Sequence, residues 1–373
     1  MRVIDLSSLI GAYAARLFAE QGHEVIRVEA PAGDELRLLP PFLRGRRDLE
    51  HGAYHQFLNA GKRSVTLDLD QFDDRKKFLD LLGSADLLIA NDPFPEDEEA
   101  YLAANPQLVL TKIVDDAPEL CAVARSGLMS LTGHPDRPPV ILGGHVPHLA
   151  VGIYVAVAAA AALLARDSSG RGLIAAVSVR DSLASFIEQA MVEYSFSGTI
   201  TERRGSRGAI TAVSGAMPCK DGYWVISQIH RPGRWSKFVE WVQDSDLSAD
   251  PSLAEEENQH RRRDFIMQRL DSWAKRFTKA ELVEQAQRLH FPASPVSTPL
   301  DLINDPQLVA RGFLAETDHP EFGRINFPHG AVASVLGNRL GPAPRLGEHN
   351  QQVFGGLPPS SDSKDRRIAG ARH

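Results

Sequence analysis

Short apolar strands alternate with amphipathic helices up to residue 114, and this alternation constrains the fold of the chain more than any other feature. Strand patterns recur at residues 3–6, 24–29, 64–69, 86–90 and 108–114. Helical patterns lie between them, for example at residues 12–21 before Gly22 and at residues 71–82 before Gly83. Glycine often follows the last residue of a helix. Because a helix between consecutive strands lets the strands run parallel in one sheet, the sequence predicts the α/β class.

The pattern changes after Gly198, which indicates a second domain. Up to that point helices are predicted at residues 119–131, 148–165 and 180–196, with a strand at residues 173–179. Beyond it, charged and aromatic residues become more frequent, and residues 221–226 (DGYWVI) form a turn that leads into a strand. We therefore expect an inserted, smaller α+β domain at residues 215–315.

The charge balance excludes a nucleic-acid backbone as the expected partner, since 41 Lys+Arg against 48 Asp+Glu leave a formal net charge of −7. The two cysteines, Cys121 and Cys219, lie in no CxxC or Cys/His pattern, so we expect a reducing compartment and no metal site. Residues 1–6 place a charge pair where a signal peptide needs an apolar run. The uncharged segment 149–165 is mostly alanine, which favours a buried helix over a membrane span. The predicted location is cytoplasmic, without a membrane partner.

Short catalytic and nucleotide-binding motifs do not account for a function. The first strand–helix turn lacks GxGxxG, and neither HExxH nor GxSxG occurs. Residues 61–64 (GKRS) match only the end of a P-loop motif, and they precede a predicted strand where the motif would follow one. Local spacing alone therefore predicts an α/β protein with an inserted domain and no specific chemistry.

A longer-range pattern resembles a known family. The matching segments are residues 3–6 (VIDL) with Gly11, 22–29 (GHEVIRVE) with Gly33, Asp34 and Arg37, 59–69 (NAGKRSVTLDL), 85–91 (ADLLIAN), 126–129 (SGLM) with Thr132 and Gly133, Pro138 with Pro139, 170–172 (GRG), 218–223 (PCKDGY), 292–296 (PASPV), 305–307 (DPQ) with 310–312 (ARG), and 346–349 (LGEH). Their order resembles the class III CoA-transferases, the group of formyl-CoA transferase, carnitine CoA-transferase and α-methylacyl-CoA racemase.

The resemblance implies a fold and an assembly. Members have a Rossmann-like parallel-sheet large domain built from both chain ends, a smaller domain from the middle, and two subunits threaded through each other as an interlocked dimer. The segments expected on this basis are the first part of the large domain at residues 1–200, the small domain at 215–315, a return to the large domain at 316–356 and a disordered tail at 357–373.

The resemblance also implies a ligand, CoA or acyl-CoA, at the carboxyl ends of the large-domain strands. The residues that would contact it are Gly11, Arg37, Leu67, Asn91 and Asp92. For Asn91 and Asp92 the alternative is a turn that ends a strand, and for Arg37 it is a solvated surface charge. No tightly bound cofactor is expected, because CoA and a carboxylic acid enter as substrates.

His148 marks the main departure from the family. In the transferases an Asp at the start of a buried helix attacks the acyl thioester, and it stands four residues before the first glycine of that helix. Here that glycine is Gly152, so the position is His148, and residues 143–148 (GGHVPH) contain no carboxylate. The racemase branch needs a His-Asp pair where this chain has Pro118 and Glu119. His148 is interpreted as a neutral, partly buried residue at the helix start, or alternatively as a substitute nucleophile or base.

These departures leave several functions open. The favoured hypothesis is the non-catalytic subunit of a heteromeric CoA-transferase acting on acyl-CoA thioesters, whose homologous partner subunit supplies the Asp. An alternative is a self-sufficient transferase or racemase in which His148, Glu119 or Asp116 has a changed role. The third is a CoA-binding protein that is not an enzyme.

Overall fold

The structure is a computed structural model that describes residues 1–93, 98–206, 212–227, 229, 231, 233–319, 322–328 and 340–355. The predicted tail at residues 357–373 and part of the predicted return at 316–356 lie outside these residues. The chain divides into two compact units. As far as they are described, the first consists of Met1–Ser126, Leu142–Phe186 and Gln307–His373, and the second consists of Gly127–Ile141 and Ile187–Pro306. The domain limits given above stay a prediction.

The first unit is built around a parallel sheet. Its strands are β1 (Arg2–Leu6), β2 (Glu24–Glu29), β3 (Arg63–Thr66), β4 (Leu87–Asn91), β5 (Val109–Val114) and β6 (Leu173–Ser178), with the hairpin β10 (Leu314–His319) and β11 (Gly323–Pro328) added later in the chain. Its helices are α1 (Leu9–Glu20), α2 (Ala53–Leu58), α3 (Phe72–Leu82), α4 (Glu98–Ala104), α5 (Glu119–Arg125), α6 (Val146–Ser169), α7 (Val179–Ser185) and α16 (Asn350–Phe354). Short 3₁₀ turns lie at Glu35–Leu38 and Leu43–Gly45.

The strand order of the parallel sheet is β3-β2-β1-β4-β5-β6. Every pair of neighbouring strands is parallel, and each of the first five is followed by a helix or a turn that returns the chain to the same edge. The order reverses between β1 and β4, which is the arrangement of the doubly wound Rossmann fold. The predicted α/β class with a Rossmann-like sheet is therefore confirmed.

The second unit contains a small antiparallel sheet with helices. Its strands are β7 (Met217–Cys219), β8 (Gly222–Ile226) and β9 (Ala293–Pro295), in the order β7-β8-β9. Its helices are α8 (Glu188–Ser197), α9 (Arg234–Val242), α10 (Ser245–Ser248), α11 (Glu256–Arg261), α12 (Arg263–Ala274), α13 (Lys279–Arg288) and α14 (Pro299–Ile303), and α15 (Pro306–Ala310) crosses the limit between the units. Aromatic rings fill the core, where Trp224, Trp241 and Trp273 lie in edge or tilted contact.

Two predicted helices end earlier than their apolar pattern indicates. The helix predicted at residues 119–131 stops at Arg125, because Gly127 takes a left-handed conformation with φ 86°. The helix predicted at residues 180–196 divides into α7 and α8 around Ile187. At the end of α7 the hydroxyl of Ser185 donates to the Ser182 carbonyl (2.7 Å), which competes with the helical backbone bonds there.

Helix α6 is long and apolar enough to cross a membrane by length and composition. One face is buried within its unit, where Gly152 packs against α1 so closely that a Cβ there would lie 2.7 Å from the Ile10 carbonyl oxygen. The opposite face, which includes Ile153, Val157 and Leu164, is exposed. The sequence predicts a buried helix here, and within this chain only one face of the helix is buried.

Candidate functional site

A cavity of about 610 Å³ opens at the carboxyl edge of the sheet, within the first unit. It is lined by residues 7–9, Arg27, residues 34–36, Leu39, residues 116–119, His145 and His148. The segments that follow β1, β2 and β5 meet here because the carboxyl ends of parallel strands share one edge. This is the place where the strand order reverses, and an open α/β sheet offers its binding crevice at that point.

Buried ion pairs lie beside the cavity, next to the first strand–helix turn. The parallel register places Asp5 of β1 beside Arg27 of β2, and Arg27 Nη1 donates to Asp5 Oδ2 (2.9 Å). Lys62 Nζ donates to the same oxygen (2.8 Å) and to the Ala12 carbonyl in α1 (2.8 Å). Burial alone would raise the pKa of Asp5, but the charges of Arg27 and Lys62 outweigh it and lower that pKa to about 2. Buried ion pairs therefore stabilise the turn between β1 and α1.

Arg27 also shapes the turn directly. Its Nη2 donates to the Ser7 carbonyl (2.9 Å), and its guanidinium forms an ion pair with Asp34, which follows β2. The hydroxyl of Ser7 donates to Asp5 Oδ1 (2.5 Å). Gly11 is required beside this turn, since a Cβ there would lie 2.3 Å from Ser7 Oγ. The predicted site residue Gly11 thus allows the Ser7 side chain to pack closely against α1.

The tips of three strands are tied together at the cavity. Asn91, at the end of β4, accepts from the Ser8 backbone N–H through Oδ1 (2.7 Å) and donates to Asp116, which follows β5. The Ser8 hydroxyl donates to the same carboxylate (3.0 Å). The structure therefore places the predicted site residue Asn91 next to the cavity lining, while Asp92 beside it is exposed.

A carboxylate from another element, Glu119 of α5, binds the first turn of α6. Glu119 begins α5, and its Oε1 accepts from the backbone N–H of His148 (3.3 Å). Its Oε2 lies 2.8 Å from His145 Nδ1. His145 precedes α6 in a left-handed conformation with φ 56°, and its ring packs edge-on against Tyr54. A negative charge at the N-terminus of a helix is favourable, so Glu119 stabilises the start of α6.

His148 lies in the cavity wall with 8% of its surface exposed. Its Nε2 is buried and has no hydrogen-bond partner among the residues that the structure describes. Burial lowers the pKa of His148, and the negative charges of Glu119 and Asp116 only partly oppose this. A neutral imidazole at this place can accept a proton or a hydrogen bond, but it offers no oxygen nucleophile for an acyl anhydride.

Arg37 is placed differently from a ligand contact. It is fully buried, and its Nε and Nη2 donate to Glu29 (2.6 and 2.9 Å) while Nη1 donates to Glu50 (2.9 Å). Its donors are therefore engaged within the chain. Leu67 is also buried, in the core that packs against the sheet. Neither residue lines the cavity, so the geometry does not favour direct contact, and their assignment to CoA binding stays a prediction.

Sequence reasoning missed some residues that the fold brings to the cavity. Arg27 and Asp34 lie in segments of the family pattern, but their ion pair depends on the register of β1 and β2. Glu119 and His145 meet across 26 positions, through two loops whose path no local pattern determines. For Glu119 the sequence suggests only a changed role in a rearranged site. Among the described residues no cluster of His, Cys, Asp and Glu could hold a metal ion.

The comparison with sequence families decides the class of protein. The profile of CoA-transferase family III matches residues 1–350. The chain belongs to this family. The predicted resemblance is thereby confirmed, and CoA thioesters are the substrates of CoA-transferases.

Several characterised relatives match along almost their whole length. The succinyl-CoA:mesaconate CoA-transferase of Haloarcula hispanica is 28% identical over 95% of this chain and 94% of its own. Subunit BbsE of the succinyl-CoA:(R)-benzylsuccinate CoA-transferase of Thauera aromatica is 29% identical over 95% of this chain and 92% of its own. The alpha subunit of the succinyl-CoA–L-malate CoA-transferase of Chloroflexus aurantiacus is 26% identical over 99% of this chain and 90% of its own.

A solved structure has the same fold. The CAIB/BAIF family protein from Brucella suis superposes with a TM-score of 0.83 at 25% identity, over 95% of this chain and 97% of its own. This chain therefore has the fold of a CAIB/BAIF family protein, and in this fold the cavity lies at the start of α6.

Proposed function

We propose that this chain is the non-catalytic subunit of a heteromeric CoA-transferase that acts on acyl-CoA thioesters. In this proposal the chain binds acyl-CoA at the carboxyl edge of its sheet, and a homologous partner subunit supplies the nucleophilic Asp. The observation that carries the proposal is the residue at the start of α6, a buried His148 with a lowered pKa where the transferases have Asp.

The chemistry of the two side chains supports this assignment. A carboxylate attacks a thioester to form a mixed anhydride and expels CoA thiolate. Attack of that thiolate on the anhydride then forms a new thioester and releases a carboxylate. An imidazole would form an acyl-imidazole, which loses its acyl group to water more readily. Two of the relatives described above are named as subunits, which also supports a two-subunit enzyme for this chain.

The assembly is part of the same proposal. The exposed apolar face of α6, with Ile153, Val157 and Leu164, is suited to burial against a second subunit. We infer an interlocked dimer, formed with the homologous partner or with a second copy of this chain. A cytoplasmic location agrees with the free cysteines, Cys121 and Cys219.

A second candidate function rests on Glu119. Its carboxylate is bound to the backbone of the first turn of α6, close to where the missing Asp side chain would begin. A self-sufficient transferase or racemase would use this carboxylate as nucleophile or base, with His145 as its hydrogen-bond partner. The engagement of both carboxylate oxygens within the chain makes this candidate the weaker one.

The two functions are separated by an exchange assay with the purified chain, alone and after co-expression with a homologous family member encoded beside it. Transfer of CoA from an acyl-CoA to a free acid is expected only with the partner present. Loss of that activity on replacing the partner's Asp, but not in His148→Ala of this chain, completes the test. Exchange by the chain alone that disappears in Glu119→Gln would establish the second candidate and overturn the first.

A further inference from the structure

A loop with three arginines leaves the sheet beside the cavity. We call residues 40–52, which lead from Leu39 to the start of α2, the arginine loop. It carries Arg44, Arg46 and Arg47, and all three residues are exposed. The whole chain has a formal net charge of −7, so this loop concentrates positive charge on an otherwise acidic protein. A local group of exposed arginines attracts anions by its electrostatic potential.

Both ends of the arginine loop lie at the cavity. Leu39, which precedes the loop, lines the cavity. Tyr54, which follows the loop in α2, packs edge-on against His145, and His145 lines the cavity next to the start of α6. Because Arg44 follows Leu39 by five residues, its Cα lies within about 18 Å of the cavity wall. A substrate in the cavity therefore lies within reach of the loop.

The backbone of the arginine loop is held in one conformation. The Leu43 N–H donates to the His51 carbonyl (2.9 Å), and the Ala53 N–H donates to the Pro41 carbonyl (2.9 Å). These bonds close the loop at its base. Arg44 is left-handed with φ 54°, a conformation that glycine adopts more readily and that other residues retain mostly at functional sites. A fixed loop loses less conformational entropy when its side chains bind a ligand.

The guanidinium groups of the loop are positioned to bind an anion. Arg46 forms an ion pair with Asp48, with 2.8 Å between Nε and Oδ2, and 72% of the Arg46 side chain stays exposed. Asp48 also binds the ring of His51, so its charge is shared. Neither Arg44 nor Arg47 forms an ion pair within the described part of the chain. The planar fork of a guanidinium group fits a carboxylate or a phosphate through two hydrogen bonds.

We propose that the arginine loop binds an anionic oxygen group of the substrate beside the cavity, through Arg44, Arg46 and Arg47. The inference rests on the proposed binding of acyl-CoA at the carboxyl edge of the sheet and adds a site for substrate charge to it. Two parts of the substrate supply this chemistry. One is a free carboxylate on the acyl group, and the other is a phosphate of CoA.

The test removes the charges of the loop. The triple variant changes Arg46 and Arg47 to Gln and Arg44 to Gly, which suits the left-handed backbone there. Isothermal titration of the full chain at neutral pH and low salt is expected to show about tenfold weaker binding by the triple variant and about twofold weaker binding by each single variant. The difference should shrink at high salt.

Arg171→Gln is the matched control for a single lost charge. Arg171 is exposed and precedes β6, so it lies at the opposite edge of the sheet from the cavity. Its variant should bind every ligand as the unmodified chain does. Thermal unfolding of each variant checks that it is folded.

Three ligands distinguish the two sources of the anionic group. Succinyl-CoA and butyryl-CoA have acyl chains of equal carbon number, ending in a carboxylate and a methyl group respectively, and CoA carries no acyl group. A tenfold loss for succinyl-CoA alone assigns the carboxylate to the loop. An equal loss for all three ligands assigns a phosphate of CoA to it.

The remaining outcomes separate this inference from the proposed function. A folded triple variant that binds all three ligands as tightly as the unmodified chain overturns the inference, and so does an equal loss in Arg171→Gln. Weaker assembly with the co-expressed homologue at unchanged ligand binding overturns it too, since the arginines would then contact a subunit. In each case CoA binding by the unmodified chain leaves the proposed function standing. If the unmodified chain binds none of the three ligands, the proposed function fails and the inference fails with it.

Discussion

An imidazole and a carboxylate at the start of α6 differ in the covalent bond that each forms with an acyl group, so the proposed function depends on the residue at position 148. His148 was located from sequence because it stands a fixed distance before Gly152. Its environment could not be derived in the same way. The contacts of Glu119 with His145 and with the His148 backbone join two loops, and only the folded chain brings them together.

Restoring the carboxylate is expected to give the chain transferase activity of its own. His148→Asp places an oxygen nucleophile at the third residue of α6, where the helix dipole favours a negative charge. Exchange of CoA between an acyl-CoA and its free acid should then become measurable with the variant alone, at least tenfold above the unmodified chain. His148→Asn, which has nearly the same size and no charge, should stay inactive. A His148→Asp variant that binds CoA but transfers nothing would contradict the assigned role of this position.

His55 makes the stability of the chain depend on pH. It is fully buried in α2, where Nε2 lies 3.2 Å from the Pro344 carbonyl oxygen and Nδ1 lies 3.0 Å from Asn59 Nδ2. Burial and, after it, the nearby charge of Arg37 lower its pKa from 6.5 to about 3. Because the unfolded chain binds this proton at higher pH, stability is fully present above about pH 6.5 and falls as the pH decreases toward 3.

The expected loss in the free energy of unfolding is about 2 kcal/mol at pH 5 relative to pH 8. Urea unfolding at both values measures it. His55→Gln cannot take up the proton, so it should be less stable than the unmodified chain at pH 8 but should lose less stability on acidification. His134→Gln, at an exposed position, should leave the pH dependence unchanged. A pH dependence that is the same in all three chains would contradict this prediction.

At the scale of elements, the spacing of the apolar residues predicts the limits of a strand or helix well where no residue interrupts its backbone conformation. The segment 24–29 (EVIRVE) is β2 at the predicted limits. β1 and β5 differ from prediction by one residue at one end, and β4 differs by one residue at each end. Predictions failed where conformation at a single position interrupts a continuous pattern, as at Gly127 and at Ile187. Periodicity records which face is buried, but it does not record a left-handed residue or a side chain that competes for a helix carbonyl.

The contact between α1 and α6 gives a prediction at this scale. A Cβ at Gly152 would lie 2.7 Å from the Ile10 carbonyl oxygen and 3.1 Å from Tyr13 Cδ1, so the two helices would have to separate. We expect Gly152→Ala to lower the free energy of unfolding by about 1–3 kcal/mol, although alanine favours a helix. Gly143→Ala is the control, since a Cβ there meets nothing within 4 Å. Equal stability of Gly152→Ala and the unmodified chain would show that the helices can adjust.

At the scale of the whole molecule, resemblance contributed what local pattern could not. The order of about ten weak segments over residues 3–349 identified the family, which the profile match over residues 1–350 confirms. The buried ion pairs of the sheet were not predicted, because Lys62 and Arg37 are polar residues that local sequence assigns to the surface. They are buried since each meets a carboxylate from a different strand, Asp5 and Glu29. Pairing of this kind depends on the sheet as a whole.

The exposed face of α6 is the feature of the whole chain that most needs a partner. Val157 and Leu164 are 62% and 70% exposed on a helix whose opposite face is packed in its own unit. Either a membrane or a second subunit could cover such a face, and the proposed interlocked dimer assigns it to a subunit. Because a carboxylate buried in an apolar interface costs several kcal/mol, the double variant Val157→Glu with Leu164→Glu should prevent assembly.

Size-exclusion chromatography with light scattering, applied to the chain alone and with its co-expressed homologue, measures this effect. The unmodified chain is expected to elute as a dimer with itself or with the homologue, and the double variant as a monomer. Phe72→Glu is the matched control, because Phe72 is 78% exposed on α3, away from this face, and should leave assembly intact. A double variant that still assembles, or an unmodified chain that is monomeric with the homologue present and associates with lipid vesicles, would contradict the proposed dimer. Assembly with a subunit and association with vesicles are two ways to cover the apolar face of α6. The experiment therefore shows whether a second subunit or a membrane covers it.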